Sequence, residues 1–152
     1  MRPTILSRLA VLAIAMPAAF AVPAQTVSLQ RAGEHVTILM GAAAILPADF
    51  PGDVFVPTGA TLVRVESLGQ DRVVVEFTSD QAPDALAAAC ARSMAEAGWS
   101  PATVEAVAGA HAQAWEKDER AVLVAAWAEA GATRLRLQLL PRARRPAGAD
   151  KS

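Results

Sequence analysis

The sequence predicts an α+β domain: a mostly antiparallel five-stranded sheet with one helix packed on one face, in the order β-β-α-β-β-β, preceded by a signal peptide. Three observations predict it. Residues 61–78 and 111–140 alternate apolar and polar side chains, the period of a half-buried strand. Residues 81–97 hold the one stretch with a helical apolar stripe. Residues 1–24 arrange charge, an apolar run and small residues in the order of an export leader. A chain of 152 residues is enough for one ordinary domain. Hydrophobic residues make up 53% and charged residues 19%, which excludes a disordered polar chain. Fourteen basic against fifteen acidic residues leave a charge of −1, which argues against a nucleic-acid partner.

The leader reads MRPTILSRLAVLAIAMPAAFAVPA. Arg2 and Arg8 supply positive charge, Leu9 to Met16 is uninterrupted apolar, and Pro17 breaks that run. Ala19-Phe20-Ala21 and Val22-Pro23-Ala24 are both small-x-small cleavage patterns. The apolar stretch is about 12 residues against the roughly 20 needed to span a bilayer, so cleavage is expected rather than anchoring. The expected scissile bond is Ala24/Gln25, with Ala21/Val22 second. Cleavage removes two arginines and no acid, leaving a mildly acidic chain of net charge −3. The expected location is periplasmic or secreted, with no stable membrane anchor after cleavage. Cys90 is the single cysteine, so no internal disulfide forms.

Residues 25–60 read as an extended, Pro-rich N-terminal segment. Gln25 to Glu34 is polar and expected to be mobile or weakly extended. Val36 to Leu46 is an apolar run whose β-branched first half favours a strand and whose alanine-rich second half favours helix or close packing. It is expected to lie against the domain as a peripheral segment, either folded back over the outer face of the sheet or leaving that face open to a partner. Pro47, Pro51 and Pro57 forbid a helix between Leu46 and Ala60.

The domain proper spans 61–141. Thr61 to Ser67 and Arg72 to Thr78 form a hairpin, with Val63 and Val65 expected on the same face as Val73, Val75 and Phe77 if the loop has an odd length. Ser79-Asp80 offers a cap to a helix over Gln81 to Ala97, with Pro83 and Asp84 in its first turn. Leu86, Cys90 and Met94 recur at i, i+4 and i+8 as its apolar stripe. Gly98 ends the helix as a left-handed cap and lets Trp99 fold back. Ser100 to Gly109 is a connector. His111 to Glu116, Arg120 to Ala128 and Thr133 to Leu140 are three strands, with Lys117-Asp118-Glu119 and Glu129-Ala130-Gly131 as the turns, and one register follows if both hairpins use the shortest loops. That register puts Val122, Val124 and Ala126 on one face with Leu135, Leu137 and Leu139. It puts Leu123, Ala125 and Trp127 beside Arg134, Arg136 and Gln138 on the other. Residues 142–152 (RARRPAGADKS) form a flexible basic tail.

The run PADFPGDVFVPTGATL, the hairpin, the helix ending in Ala97-Gly98-Trp99 and the three-strand meander resemble small exported bacterial proteins of unassigned function. The order is also similar to helix-grip modules of some envelope lipoproteins, including one from the outer-membrane barrel-assembly machinery. The resemblance covers roughly residues 46–141. The chain lacks the lipid-bearing cysteine of those lipoproteins, and the resemblance carries over no catalytic residue.

Catalytic signatures are missing: there is no Gly-x-Ser-x-Gly elbow, Walker loop, dinucleotide fingerprint or His-Glu-x-x-His. Cys90 with His111 is the one conceivable thiol–imidazole pair, and Cys90 sits on the apolar stripe, where a thiol is an inert hydrophobe. His35 and His111 lack an i, i+4 partner for a metal. Asp49 and Asp53 read as turn residues more readily than as cation ligands. Glu66 and Glu76 lie near Arg64 and Arg72, which points to a salt-bridged face rather than an acid pair. The basic tail suits an anionic surface only weakly.

The expectation is therefore an exported non-enzymatic binding or accessory protein of the bacterial cell envelope, with no cofactor and no metal. Its envelope protein partner would meet the outer sheet face at Leu123, Trp127, Arg134 and Arg136, where Leu62 and Arg64 are also expected. The alternative is a small-ligand carrier with a cleft between helix and sheet, lined by Phe77, Met94, Trp99 and Trp115. A hydrolase is a third, weaker reading.

Overall fold

The structure is a computed structural model that describes residues 23–31, 34–69 and 72–141. The leader up to residue 22 and the basic tail 142–152 lie outside the described residues. Strands β1 (Gln25–Arg31) and β2 (Glu34–Met40) are followed by a single 3-10 turn, Gly41–Ala43. Then come β3 (Thr61–Leu68), β4 (Arg72–Ser79), helix α1 (Pro83–Glu96), β5 (Ser100–Ala102), β6 (Ala110–Lys117), β7 (Arg120–Glu129) and β8 (Ala132–Pro141). They form one eight-stranded sheet in the order β1-β2-β3-β4-β8-β7-β6-β5, with every neighbouring pair antiparallel.

The fold is thus mostly β with one helix, and the five-stranded expectation is corrected to eight strands. The additional strands are β1, β2 and β5. β1 (QTVSLQR) alternates Val27 and Leu29 with Thr26, Ser28 and Gln30, but that polar half never meets the core, so the strand reads as a polar lead-in. β2 (EHVTILM) takes only the β-branched half of the apolar run, and Gly41, at φ +60, turns the chain out of the strand. β2 does not lie over the sheet as a cover; it pairs edge-on with β3 and widens it. β5 is three residues containing Pro101, held by β6 alone.

Leu68 pairs with Arg72, so three residues close the β3–β4 hairpin, and Val65 meets Val75 on the helix side. Between Leu62 and Arg64 the register shifts by a bulge. The extra residue brings Leu62 opposite Phe77 on the core side, so its expected outward position is corrected. The β7–β8 register agrees with the sequence reading: Val122, Val124 and Ala126 pair with Leu139, Leu137 and Leu135. Two residues, Ala130 and Gly131, turn that hairpin, both at positive φ. Primed two-residue turns of this kind match the twist of the strands they join.

Helix α1 starts at Pro83, with Ala82 at the N-cap and no side-chain cap, which corrects the Ser79-Asp80 expectation. The Ser79 hydroxyl instead accepts the Gln81 N–H, while buried Thr133 donates to the Gln81 carbonyl. At the other end Trp99 N–H donates to Met94 O and Gly98 N–H to Ala95 O, both at 3.0 Å, with Gly98 at φ +83. This is the Schellman arrangement that only a left-handed residue allows.

Leu86, Cys90 and Met94 of α1 pack with Val65, Val75, Phe77, Val122, Val124, Ala126, Leu135 and Leu137 of the sheet. Leu86, Met94, Leu135 and Leu137 are 0% exposed, and burying each such side chain stabilises by about 2 kcal/mol. Trp99, Trp115 and Val54 complete the cluster, with Leu46, Phe50 and Phe55 against it. The Pro-rich segment therefore closes the end of the core rather than leading up to it.

Candidate functional site

Directly opposed residues of an antiparallel pair share a face. Register therefore defines the face turned away from α1. Trp127 stands opposite Arg134, Ala125 opposite Arg136, and Leu123 opposite Gln138. One strand further, Arg136 faces Glu76 and Gln138 faces Val74. Glu76 then faces Arg64, and Val74 faces Glu66. The same row runs on through Ile38 to Val27. The four residues expected to form a contact surface, Leu123, Trp127, Arg134 and Arg136, are thus neighbours on this outer face.

Their environments differ. Leu123 is exposed at 37%, while Trp127 is half-buried. Arg134 Nε is 2.6 Å from a Glu129 carboxylate oxygen, and an Arg136 nitrogen is 3.9 Å from Glu76. Arg64 bonds Glu66 at 2.7 Å, and Arg72 holds Glu34 with two bonds of 2.9 and 3.0 Å. Glu66 and Glu76 are each engaged by an arginine, and the face is laced by ion pairs. At its β1–β2 side the face turns apolar: Leu29, Val36, Ile38 and Leu68 line a groove of about 380 Å³ bordered by Glu34, Glu66 and Arg72.

A second constellation lies at the end of the core, and sequence reading missed it. Arg120 grips both carboxylate oxygens of Asp53, at 2.9 and 2.7 Å. Lys117 reaches the same carboxylate at 2.8 Å and donates to Ala97 O at 2.7 Å, a carbonyl at the helix C-terminus. Trp99 Nε1 donates to the Asp53 carbonyl at 2.8 Å, and the Arg120 guanidinium stacks 4.9 Å over the Trp99 ring. Hydrogen bonds from Arg120, aided by Lys117, hold the Asp53 carboxyl far below the ordinary carboxylate range. Arg120 is pushed up in turn by its bond to Asp53. Asp53 takes two cations of its own chain, and Asp49 stands apart, exposed. Beside this latch, Pro47, Phe50 and Pro51 face Trp99, Arg120, Val122 and Leu139 across a cleft of about 350 Å³.

Cys90 is fully buried, and desolvation pushes its thiol up to about 12. His35 and His111 are both exposed. Among the described residues no three His, Cys, Asp or Glu side chains gather as a metal-ligand set. Gln113 also escaped the sequence reading: its amide donates to Ala87 O at 2.9 Å and accepts from Trp115 Nε1 at 3.1 Å, tying sheet to helix. Of the expected cleavage pair, Ala24 precedes the sheet and Gln25 is the first residue of β1.

No family model, no curated protein and no solved structure matches this chain.

Proposed function

We propose that this is an exported, non-enzymatic binding or accessory protein of a bacterial cell envelope, which engages a protein partner across the outer face of its sheet. The observation that carries the reading is the β7–β8 register, which sets Leu123 and Trp127 beside Arg134 and Arg136 on the face opposite the helix. Leucine and tryptophan supply apolar anchor area, and the ion-paired arginines orient a partner without leaving an unpaired charge behind. Phe77, Met94, Trp99 and Trp115, which would line a ligand cleft between helix and sheet, pack into one buried cluster, so recognition is assigned outside the core. The export part of the reading rests on the sequence of residues 1–24.

A photo-crosslinking residue in place of Leu123, with the protein expressed in its own host, tests the contact surface. One discrete adduct is expected from that position and none from the same probe at Ala88, an exposed residue of α1. Adducts equally abundant from both positions, or from neither, would overturn it. Export is read separately: the protein recovered outside the cytoplasm is expected to begin at Gln25 by mass spectrometry, and a cytoplasmic protein that retains residues 1–24 would sink that part.

A further inference from the structure

The sheet ends in two edges of opposite character. β5 is three residues long and contains Pro101, which has no N–H to offer, so that edge is blunted. β1 at the other edge is seven residues long and pairs with β2 without a bulge. It contains no lysine and no proline. Among the described residues nothing pairs with its outer side, and Val27 and Leu29 are exposed at 38% and 54%. A long, regular edge without any of the usual guards is a template for one more strand.

We propose that β1 pairs antiparallel with β1 of a second copy of this chain, joining two eight-stranded sheets into one continuous sheet about a two-fold axis at Ser28. The strand is its own complement in that register. Ser28 meets the partner's Ser28, Val27 meets the partner's Leu29, and Thr26 meets the partner's Gln30. Each apolar residue of the outer side meets an apolar one, and each polar residue of the inner side a polar one. Val27 and Leu29 already share their face with Ile38 and Val36, so the two copies build one apolar band across the junction. The two-fold sets the C-terminal ends of the two strands six residues, about 20 Å, apart, whereas a parallel pairing sets identical residues side by side. The junction is about 24 Å from β7, five strand spacings away in the sheet order, so it is separate from the Leu123–Trp127 surface.

The test uses the full-length gene product, purified from the fraction that holds it. Light scattering over a wide concentration range is expected to give twice the chain mass at the upper end. The Val27→Lys, Leu29→Lys double variant is expected to stay at a single chain mass, with the thermal midpoint that the parent shows when dilute and unpaired, because both side chains are exposed in the single chain. Ser28→Cys is expected to form an intermolecular disulfide under mild oxidation, since the two-fold sets that residue against itself within disulfide reach. Thr26→Cys, two residues away on the same side, is expected to link far more slowly. Buried Cys90 does not compete. A single chain mass for the parent protein at every concentration overturns the proposal. So does a Thr26→Cys variant that links as fast as Ser28→Cys.

Discussion

Asp53 shows what one side chain can hold together. It connects the Pro-rich segment to the β6–β7 turn and, through Lys117, to the end of α1. Lys117 and Arg120 are 27% and 37% exposed, so water screens part of the attraction. Asp53→Asn removes the charge and leaves both cations without their partner, and about 2 kcal/mol of stability is the expected loss at neutral pH, read as a lower urea midpoint. The pH dependence has a definite sign. The folded carboxyl is held below its ordinary range, while the unfolded chain titrates at about 4. The unfolded state takes up the proton first as pH falls, so the contribution is full above about pH 5 and is lost through pH 4 and below. The gap between parent and Asp53→Asn is expected to stay constant from neutral pH down to that point and then to close. A gap that widens in acid would refute the latch. Cys90 gives the opposite case, a group silenced by burial. With its thiol raised to about 12, it is expected to stay unlabelled by a maleimide in the native protein and to react fully in denaturant.

At the scale of elements, turn chemistry decides how well each piece is made. Gly98 sits at φ +83 and a Cβ there would come no closer than 4.0 Å to Lys117, so space is not the obstacle. Gly98→Ala is expected to destabilise by about 1 kcal/mol through backbone strain alone, with an unchanged denaturant slope. Ala130 is the reverse: an alanine at φ +49 in a two-residue hairpin turn where glycine or asparagine is at ease. Ala130→Gly is expected to stabilise by about 0.5 kcal/mol, the relieved strain less the added chain entropy. A lower midpoint for this variant would mean that the turn carries no strain. These turns also explain what could be read in the sequence. Gly98 before Trp99 marks the helix end, and the turns read at 117–119 and 129–131, tightened to two residues each in the structure, carry the β6–β7 and β7–β8 registers. The face of Leu123, Trp127, Arg134 and Arg136 followed from them. β1 and β2 were not assembled, because β1 buries nothing and its alternation carries no core residue. Leu62 reads as outward in the sequence because nothing local announces the bulge that turns it inward. The Asp53 latch was illegible for a different reason: its cations are 64 and 67 residues away, and only the folded chain brings them together.

For the whole molecule, stability is graded across the sheet. β4, β7 and β8 lie at its middle and carry Val75, Val122, Leu135 and Leu137, all 0% exposed. β2 lends the core only Leu39, half-buried, and the side chains of Gln25 to Gln30 in β1 are all exposed. Local opening free energy follows buried apolar contact, so the sheet should loosen from the β1 side inward. Native-state hydrogen exchange is expected to show amides of β4, β7 and β8 exchanging only through global unfolding. Those of β1 should exchange through an opening that leaves the rest folded and has little denaturant dependence. Pairing between two copies changes this prediction in one place. The β1 N–H groups turned away from β2 would then gain protection as protein concentration rises, while those bonded to β2 would gain through the same linkage. Protection in β1 that equals the global value in a dilute monomer would show that the edge strand belongs to the cooperative core. The gradient derived from burial would then be wrong.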